Sequence, residues 1–176
     1  LRDDEQIFGL GEKAGPMSRR GGTFKMWNSD KPCYSTTEDP LYKSIPFFMS
    51  SYHYGIFFDN TYKTVFRFGT ENPDSYSFSA PGGSMVYYFI YGRNYKEILN
   101  RYVTLTGKPI IPPRWAFGFA QCRGLYTNEV LAREVAHTFR EKQIPCDVIY
   151  QDIGWTQYLQ DFTWREENYT NPRGMI

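Results

Sequence analysis

The chain of 176 residues carries 20 Lys and Arg against 19 Asp and Glu, a formal net charge of +1. This balance gives no electrostatic basis for binding nucleic acid or an anionic membrane surface. No apolar run approaches the roughly 18–20 residues that span a bilayer. Aromatic residues make up 19% of the chain, a content that suits β-sheet cores and also rings that stack on sugars.

The first half of the chain alternates short apolar runs with turn residues. The runs are rich in aromatic and β-branched residues and are separated by Gly, Pro, Asn and Asp, a pattern typical of antiparallel strands. Seven such strands predict a β-sandwich. The predicted strands are residues 7–10, 23–27, 45–50, 54–59, 64–68, 75–79 and 85–91.

The pattern then changes to that of a helix. Asn94 can cap a helix, with Glu97 at the capping-box position, and apolar residues follow at helical spacing until Gly107. Residues 108–113 read Lys-Pro-Ile-Ile-Pro-Pro, a stiff connector because proline lacks a backbone donor. We therefore predict an N-terminal β-sandwich domain at residues 1–111 and a second domain at residues 112–176.

After the connector the predicted order is strand, helix, strand. Residues 115–121 and 148–153 are mostly apolar, as expected for strands buried on both faces, and a helix should run from Asn128 to about Gln143. Such a unit makes a right-handed parallel pair, whereas a parallel barrel needs eight strands. The pair would leave open edges, which we expect the rest of a barrel or a contact between copies of the chain to cover.

The cysteines and histidines give no sign of a metal site. Cys33, Cys122 and Cys146 are odd in number and widely spaced, which argues against a disulfide framework. His53 and His137 stand alone, without zinc-like spacing to any cysteine. We therefore expect no structural metal. Unpaired-looking cysteines and no visible signal peptide favour the cytoplasm over secretion.

Several sequence motifs, in order along the chain, resemble those of glycoside hydrolase family 31, the α-glucosidase and α-xylosidase family. Their order and spacing hold over nearly the whole chain. In the first half they are FGLGEK at 8–13, RRG at 19–21, MWNSD at 26–30, LYKSIPFF at 41–48, GIFFDN at 55–60 and YYFI at 87–90. In the second half they are TGKP at 106–109, PPRWAFGF at 112–119, QCR at 121–123, IPCDVI at 144–149, Asp152 and DFTW at 161–164.

The resemblance implies a galactose-mutarotase-like β-sandwich followed by the first strand–helix–strand of a (β/α)₈ TIM barrel. It also implies a retaining α-glycosidase with an oligosaccharide or α-glycoside substrate and no cofactor. Two aspartates would act as nucleophile and acid/base, and in the family both follow later barrel strands. We therefore expect no catalytic residue in this chain, which we interpret as part of a longer protein. The family also includes α-xylosidases, transglucosylases and α-glucan lyases.

The resemblance assigns substrate contacts to two carboxylates. Asp152 stands where the family has an acid at the end of the second barrel strand, holding sugar hydroxyls; a strand-end acid paired with an arginine is the alternative. Asp30 stands in a loop, residues 28–40, that in the family reaches over the barrel mouth. Because Ser-Asp-Lys-Pro is also good turn chemistry, Asp30 could instead cap its own backbone.

Four further positions depart from the family pattern or match it in part. Gly154 replaces a second acid, and Trp155 could either stack on a sugar face or pack beneath its loop. Arg123 is followed by Gly124 where members often carry Trp; it could support the site electrostatically or form a structural ion pair. We interpret Asp161, Phe162 and Trp164 mainly as loop scaffolding.

The chain taken alone also admits a second hypothesis, a non-catalytic carbohydrate-binding or structural sandwich module. The aromatic content and the lack of a catalytic pair would allow it. The strand–helix–strand segment argues against it, because a binding module has no use for part of a barrel.

Overall fold

The computed structural model describes residues 1–176 and divides into two compact units, Leu1–Pro109 and Ile110–Ile176. The boundary therefore lies two residues before the one expected from the proline-rich connector. No helix in the structure combines the length and the apolarity that a membrane crossing requires.

The first unit contains the seven predicted strands, each within two residues of its expected bounds. All their pairings are antiparallel. The strands are β1 (Ile7–Gly11), β2 (Thr23–Met26), β3 (Ser44–Ser50), β4 (Tyr54–Phe58), β5 (Thr64–Phe68), β6 (Tyr76–Ser79) and β7 (Tyr87–Tyr91). They form a four-stranded sheet in the order β1-β3-β4-β7 and a three-stranded sheet in the order β2-β5-β6.

Alternating side chains of the two sheets meet in one aromatic core. Phe48 pairs with Ile56 across β3 and β4, and Phe66 pairs with Phe78 across β5 and β6. The ring of Phe48 meets those of Phe66 and Phe68 edge-on, at centroid distances of 6.2 and 5.0 Å. The buried members of this core are Ile7, Leu10, Met26, Phe48, Ile56, Phe58, Phe66 and Phe68.

The predicted helix α1 (Tyr95–Thr106) contributes to a second, smaller core. The side chain of Asn94 accepts the backbone N–H of Glu97 at 3.0 Å, which satisfies one of the free donors at the helix start. Ile98 packs with Phe47 and Ile90, and Phe47 stacks on Tyr102 at a centroid distance of 4.0 Å. Ile98 and Tyr102 thus face the protein, whereas Leu99 and Leu105 remain exposed.

The second unit contains the predicted strand–helix–strand, with shorter strands than expected. The elements are β8 (Ala120–Cys122), α2 (Glu129–Glu141) and β9 (Val148–Tyr150), and β8 pairs with β9 in parallel. Asn128 caps α2 through a 2.8 Å hydrogen bond from the Leu131 N–H. The prediction of a strand from residue 115 is wrong, because Arg114–Phe117 forms a 3₁₀ turn directly after two prolines.

The end of the chain forms elements that the sequence did not predict. A hairpin joins β10 (Thr156–Gln157) to β11 (Gln160–Trp164), and a short helix α3 (Pro172–Met175) follows. Two residues of the connecting turn, Tyr158 and Leu159, have positive φ angles of 51° and 59°. Neither residue type marks such a turn, and so the hairpin had no local sequence signal.

A buried carboxylate ties the start of the chain to the sandwich. Glu5 accepts hydrogen bonds from the Ser50 hydroxyl, from the Tyr54 hydroxyl at 2.7 Å and from the Arg2 N–H at 3.0 Å. Burial opposes ionisation of Glu5, but these hydrogen bonds outweigh it and lower the pKa of the carboxyl. Burial and the same carboxylate raise the pKa of Tyr54.

We expect Glu5→Gln to remove an acid-sensitive part of the stability. Because the folded pKa of Glu5 lies below its ordinary value of 4.5, its stabilising effect is fully present above that value. The effect is lost as the pH falls through the folded pKa. Urea unfolding between about pH 7 and pH 3 should show a steeper loss for the wild type than for Glu5→Gln.

The matched control is Asp3→Asn, which changes an exposed carboxyl near the same end of the chain. It should retain the wild-type pH dependence. Equal acid sensitivity of the wild type and Glu5→Gln would contradict the prediction.

Candidate functional site

The carboxyl ends of β8 and β9 bring Cys122 and Asp152 together. Cys122 is the last residue of β8 and pairs with Tyr150 of β9, two residues before Asp152. The Cys122 thiol donates to Asp152 Oδ2 at an S···O distance of 3.6 Å. Desolvation and the neighbouring Asp152 carboxylate raise the pKa of Cys122, so the sulfur keeps its proton at neutral pH and can donate it in this contact.

The backbone at Asp152 is held in an unusual conformation. Its φ angle is 55°, in the left-handed region where Asp is one of the few tolerated residues other than Gly. An isolated bridge pairs Asp152 with Leu125, from the loop after β8. The carboxylate is exposed beside this bridge, so a fixed backbone presents an anionic acceptor to solvent.

Gly154 is required by a close approach of another backbone segment. A Cβ at this position would lie 2.7 Å from the Tyr126 carbonyl oxygen, well inside ordinary contact. That oxygen accepts the Tyr169 hydroxyl at 2.6 Å, and both tyrosines are buried. The lack of a second acid at residue 154 therefore has a structural reason: the segment carrying Tyr126 occupies the space.

Trp155 packs against another tryptophan of the same unit. Its ring lies 4.9 Å from that of Trp164 on β11, which in turn lies 5.7 Å from the ring of Tyr169. The Trp155 carbonyl also accepts the Arg165 N–H at 2.8 Å. Trp155 stays only partly buried, so part of its surface is free to meet a ligand.

The residues of the DFTW motif at 161–164 differ in their surroundings. Trp164 belongs to the aromatic group just described, as expected of scaffolding. Phe162 is 93% exposed and has a φ angle of 65°. Asp161 is exposed on the same strand. Scaffolding is thus a role that the contacts support for Trp164 but not for Phe162.

Arg123 lies directly after β8 and is exposed. It takes part in none of the ion pairs found among residues 1–176. Within residues 1–176, Arg123 therefore does not form the structural ion pair that was the alternative to a role in the site.

Asp30 lies in the first unit, in the loop between β2 and β3, and its side chain is exposed. Partial desolvation and the Asp30 carboxylate raise the pKa of Tyr42, which lies in the same loop. The Ser29 N–H donates to the Leu41 carbonyl at 3.0 Å and closes the loop beside Asp30.

Sequence reasoning missed three residues of the site in the second unit. Cys122 contacts Asp152 from 30 positions away in the sequence. The Tyr126 carbonyl packs against Gly154 and accepts the Tyr169 hydroxyl. A tyrosine in a polar segment carries no sign that it will be buried, and the thiol contact depends on strand pairing. No group of three or more His, Cys, Asp or Glu side chains is arranged to hold a metal ion, and all three cysteines are free.

Comparison with known proteins identifies both units. A family model described as the glycosyl hydrolase 31 N-terminal galactose mutarotase-like domain matches residues 1–66. A second model, described as the glycosyl hydrolases family 31 TIM-barrel domain, matches residues 109–176. The two matches follow one another in the order that the resemblance implied.

Curated relatives and solved structures agree with these matches. Alpha-glucosidase 2 of Bacillus thermoamyloliquefaciens is 44% identical over 100% of this chain and 23% of its own length. Alpha-xylosidase XylQ of Lactiplantibacillus pentosus is 36% identical over 98% of this chain and 23% of its own length. The GH31 dextranase of Flavobacterium johnsoniae, solved with isomaltotriose, is 69% identical with a TM-score of 0.92, over 100% of this chain and 22% of its own.

The chain thus spans about a quarter of the length of the relatives it matches. Its first unit carries the mutarotase-like sandwich and its second the first strand–helix–strand of the barrel. The chain belongs to glycoside hydrolase family 31.

Proposed function

We propose that the protein containing these residues is a retaining α-glycosidase that hydrolyses α-linked glucans of the dextran type. The observation that carries this proposal is the 69% identity, over the whole chain, to a dextranase solved with isomaltotriose. The identities to an α-glucosidase and an α-xylosidase are lower, at 44% and 36%. Dextran and isomaltotriose are therefore the first substrates to test.

The reaction would be a double displacement by two aspartates that lie outside residues 1–176. One carboxylate attacks the anomeric carbon, and a carboxylic acid about 5–5.5 Å away protonates the leaving oxygen. Water then hydrolyses the glycosyl-enzyme with the second group acting as a base. These two carboxyl groups suffice for the chemistry, so the reaction requires no cofactor.

Within this chain, we assign Asp152 to binding the sugar in the cleaved subsite. Its carboxylate lies at the carboxyl end of a parallel strand, where barrel enzymes place their substrate-contacting groups. A single weak donor, the Cys122 thiol, contacts it, which leaves acceptor capacity for sugar hydroxyls. A fixed negative charge there would also stabilise an oxocarbenium-like transition state.

Three other residues have proposed supporting roles in substrate binding. Asp30 offers an exposed carboxylate on the loop between β2 and β3. Trp155 offers the part of its indole that Trp164 leaves uncovered, suited to the apolar face of a sugar ring. Arg123 offers an unpaired guanidinium beside the end of β8, which can donate to hydroxyls or balance the charge of nearby acids.

The parallel pair supports an enzyme over a binding module. β8 and β9 pair only with each other, so both outer edges are open. Phe119, Tyr150 and Ile153, on or beside these strands, remain exposed. We assign the remaining strands and helices of the barrel as the partner that covers these edges; a contact between copies of the chain is the alternative.

The first prediction from the proposed function concerns the activity of the full-length protein. We expect it to release glucose or isomalto-oligosaccharides from dextran and isomaltotriose, with retention of the anomeric configuration, as followed by proton NMR. Hydrolysis of p-nitrophenyl α-xyloside should be slower than that of the α-glucoside. Residues 1–176 alone should be inactive. Activity of that chain alone would mean that the catalytic carboxylates lie within it.

The second prediction concerns Asp152. In the full-length protein we expect Asp152→Asn to lower kcat/KM for isomaltotriose by at least about 100-fold, because it removes a charge that faces the transition state. Glu141→Gln, at the exposed end of α2, should stay within about twofold of the wild type. A wild-type kcat/KM for a folded Asp152→Asn protein would exclude Asp152 from the site.

The third prediction concerns the open strand edges. Residues 1–176 expressed alone should self-associate, because unpaired strand edges and exposed apolar residues favour pairing with other chains. Light scattering should show species larger than the 20.7 kDa monomer, whereas residues 1–109, without β8 and β9, should scatter less. A monodisperse monomer of residues 1–176 would contradict the need for a covering partner.

A further inference from the structure

Residues 12–15, which directly follow β1, run alongside the second half of the loop that carries Asp30. The Glu12 N–H donates to the Lys43 carbonyl at 3.1 Å. The Lys13 ammonium contacts Asp39 Oδ1 at 2.5 Å. A Cβ at Gly15 would lie 3.0 Å from the Thr36 carbonyl. We call residues 12–15 the strap and residues 36–43 the return arm.

The two hydrogen bonds and the close approach at Gly15 follow an antiparallel order, because each step forward along the strap meets an earlier residue of the return arm. The strap therefore holds the return arm along its length and not at one point. Gly15 has a φ angle of 83°, which a residue with a side chain adopts only under strain. Both its backbone and its lack of a Cβ are needed for the close approach to Thr36.

The central contact of the strap is a buried ion pair. The Lys13 side chain is 1% exposed and that of Asp39 is 16% exposed. The ammonium also donates to the Lys25 carbonyl at 2.7 Å, and the second oxygen of Asp39 accepts the Lys25 N–H at 2.6 Å. The pair thus joins the strap, the return arm and strand β2.

Removal of either partner would leave a buried charge without its counterion. Burial lowers the pKa of Lys13, and the Asp39 carboxylate opposes this shift by favouring the ammonium form. Such pairs contribute little net stability over an apolar substitute, but their hydrogen bonds fix the relative positions of the segments they join. The arrangement at Lys13 therefore suits positioning more than stabilisation.

The return arm in turn fixes the part of the loop that carries Asp30. The Leu41 side chain is buried, and its carbonyl accepts the Ser29 N–H at 3.0 Å. Lys31 pairs with Glu38 at 3.5 Å across the loop. Asp30 lies between these two cross-links and is itself exposed, so its position depends on where the return arm is held.

We propose that Lys13, through its ion pair with Asp39, is a positioning residue for the substrate-binding carboxylate Asp30. This inference rests on the proposed function, in which Asp30 contacts substrate. Lysine suits the position because its compact ammonium reaches a carboxylate and a carbonyl at the same time. Lys13 itself does not touch substrate, since its side chain is buried.

The test measures kinetics and loop mobility in the full-length protein. Lys13→Met and Asp39→Asn should each raise KM for isomaltotriose by at least about fivefold, with kcat within about twofold of the wild type, because the loss is in binding. Asp30→Ala should raise KM as well. In the Asp30→Ala background, Lys13→Met should raise KM no further, because residues that act through one another are not additive.

Gly15→Ala provides a second route to the same contact without leaving a buried charge. It should raise KM in the same direction as Lys13→Met. The control Arg67→Met, on β5, removes a surface ion pair with Glu71 in the following turn and should leave KM unchanged. Phe78→Leu, which weakens the sandwich core, shows whether a lower melting temperature alone raises KM.

Hydrogen exchange provides a readout that does not depend on catalysis. Backbone amides of residues 28–40 should exchange faster in Lys13→Met than in the wild type, with no change in β5 and β6. If the wild type is inactive on every glycoside, the proposed function fails. Hydrogen exchange then still shows whether Lys13 holds residues 28–40 in place.

The inference is overturned if Lys13→Met lowers the melting temperature but leaves both KM and the exchange of residues 28–40 unchanged. Additive effects of Lys13→Met and Asp30→Ala on KM would also overturn it. So would an equal rise in KM for Phe78→Leu and Lys13→Met when both variants lose the same amount of melting temperature.

Discussion

Burial of aromatic rings between the two antiparallel sheets is the interaction on which the first unit depends. Phe48 and Phe66 come from different sheets and meet edge-on in the core. A slip of one residue in either strand would move these rings to the solvent face, so the packing fixes the register. The ends of β2 and β3 are fixed with it, and the loop that carries Asp30 joins these two ends.

The sequence predicted the sandwich well because its signals are local. Alternation, turn residues and the Asn94 and Asn128 caps each act within a few positions, and the seven sandwich strands and the two capped helices formed close to their expected bounds. The error at residues 115–121 has the opposite cause. Apolarity alone does not establish a strand, and in this chain Trp115 and Phe117 lie exposed in a 3₁₀ turn. β8 extends only as far as β9 offers pairing partners.

The candidate site was predictable only in part, for a related reason. The position of Asp152 follows from the end of an apolar strand, which is local information. The Cys122 contact and the Lys13–Asp39 pair join residues 30 and 26 positions apart, and no periodicity reveals them. Gly154 could be recognised in the sequence as a departure from the family, but its cause, the backbone of Tyr126, required the structure.

Asp152 and Asp30 are fixed by different physical means. The backbone of Asp152 is held by strand pairing and a left-handed conformation, so the position of its carboxylate depends on a few bonds within the second unit. Asp30 lies on a loop whose shape depends on side chains, above all on one buried ion pair. Loop positions set by side chains can change by substitution without loss of the sheet framework. Under the proposed roles of Asp30 and Asp152 in substrate binding, variation in glycan preference would therefore arise more readily at the Asp30 loop and the strap than at the strand end of Asp152.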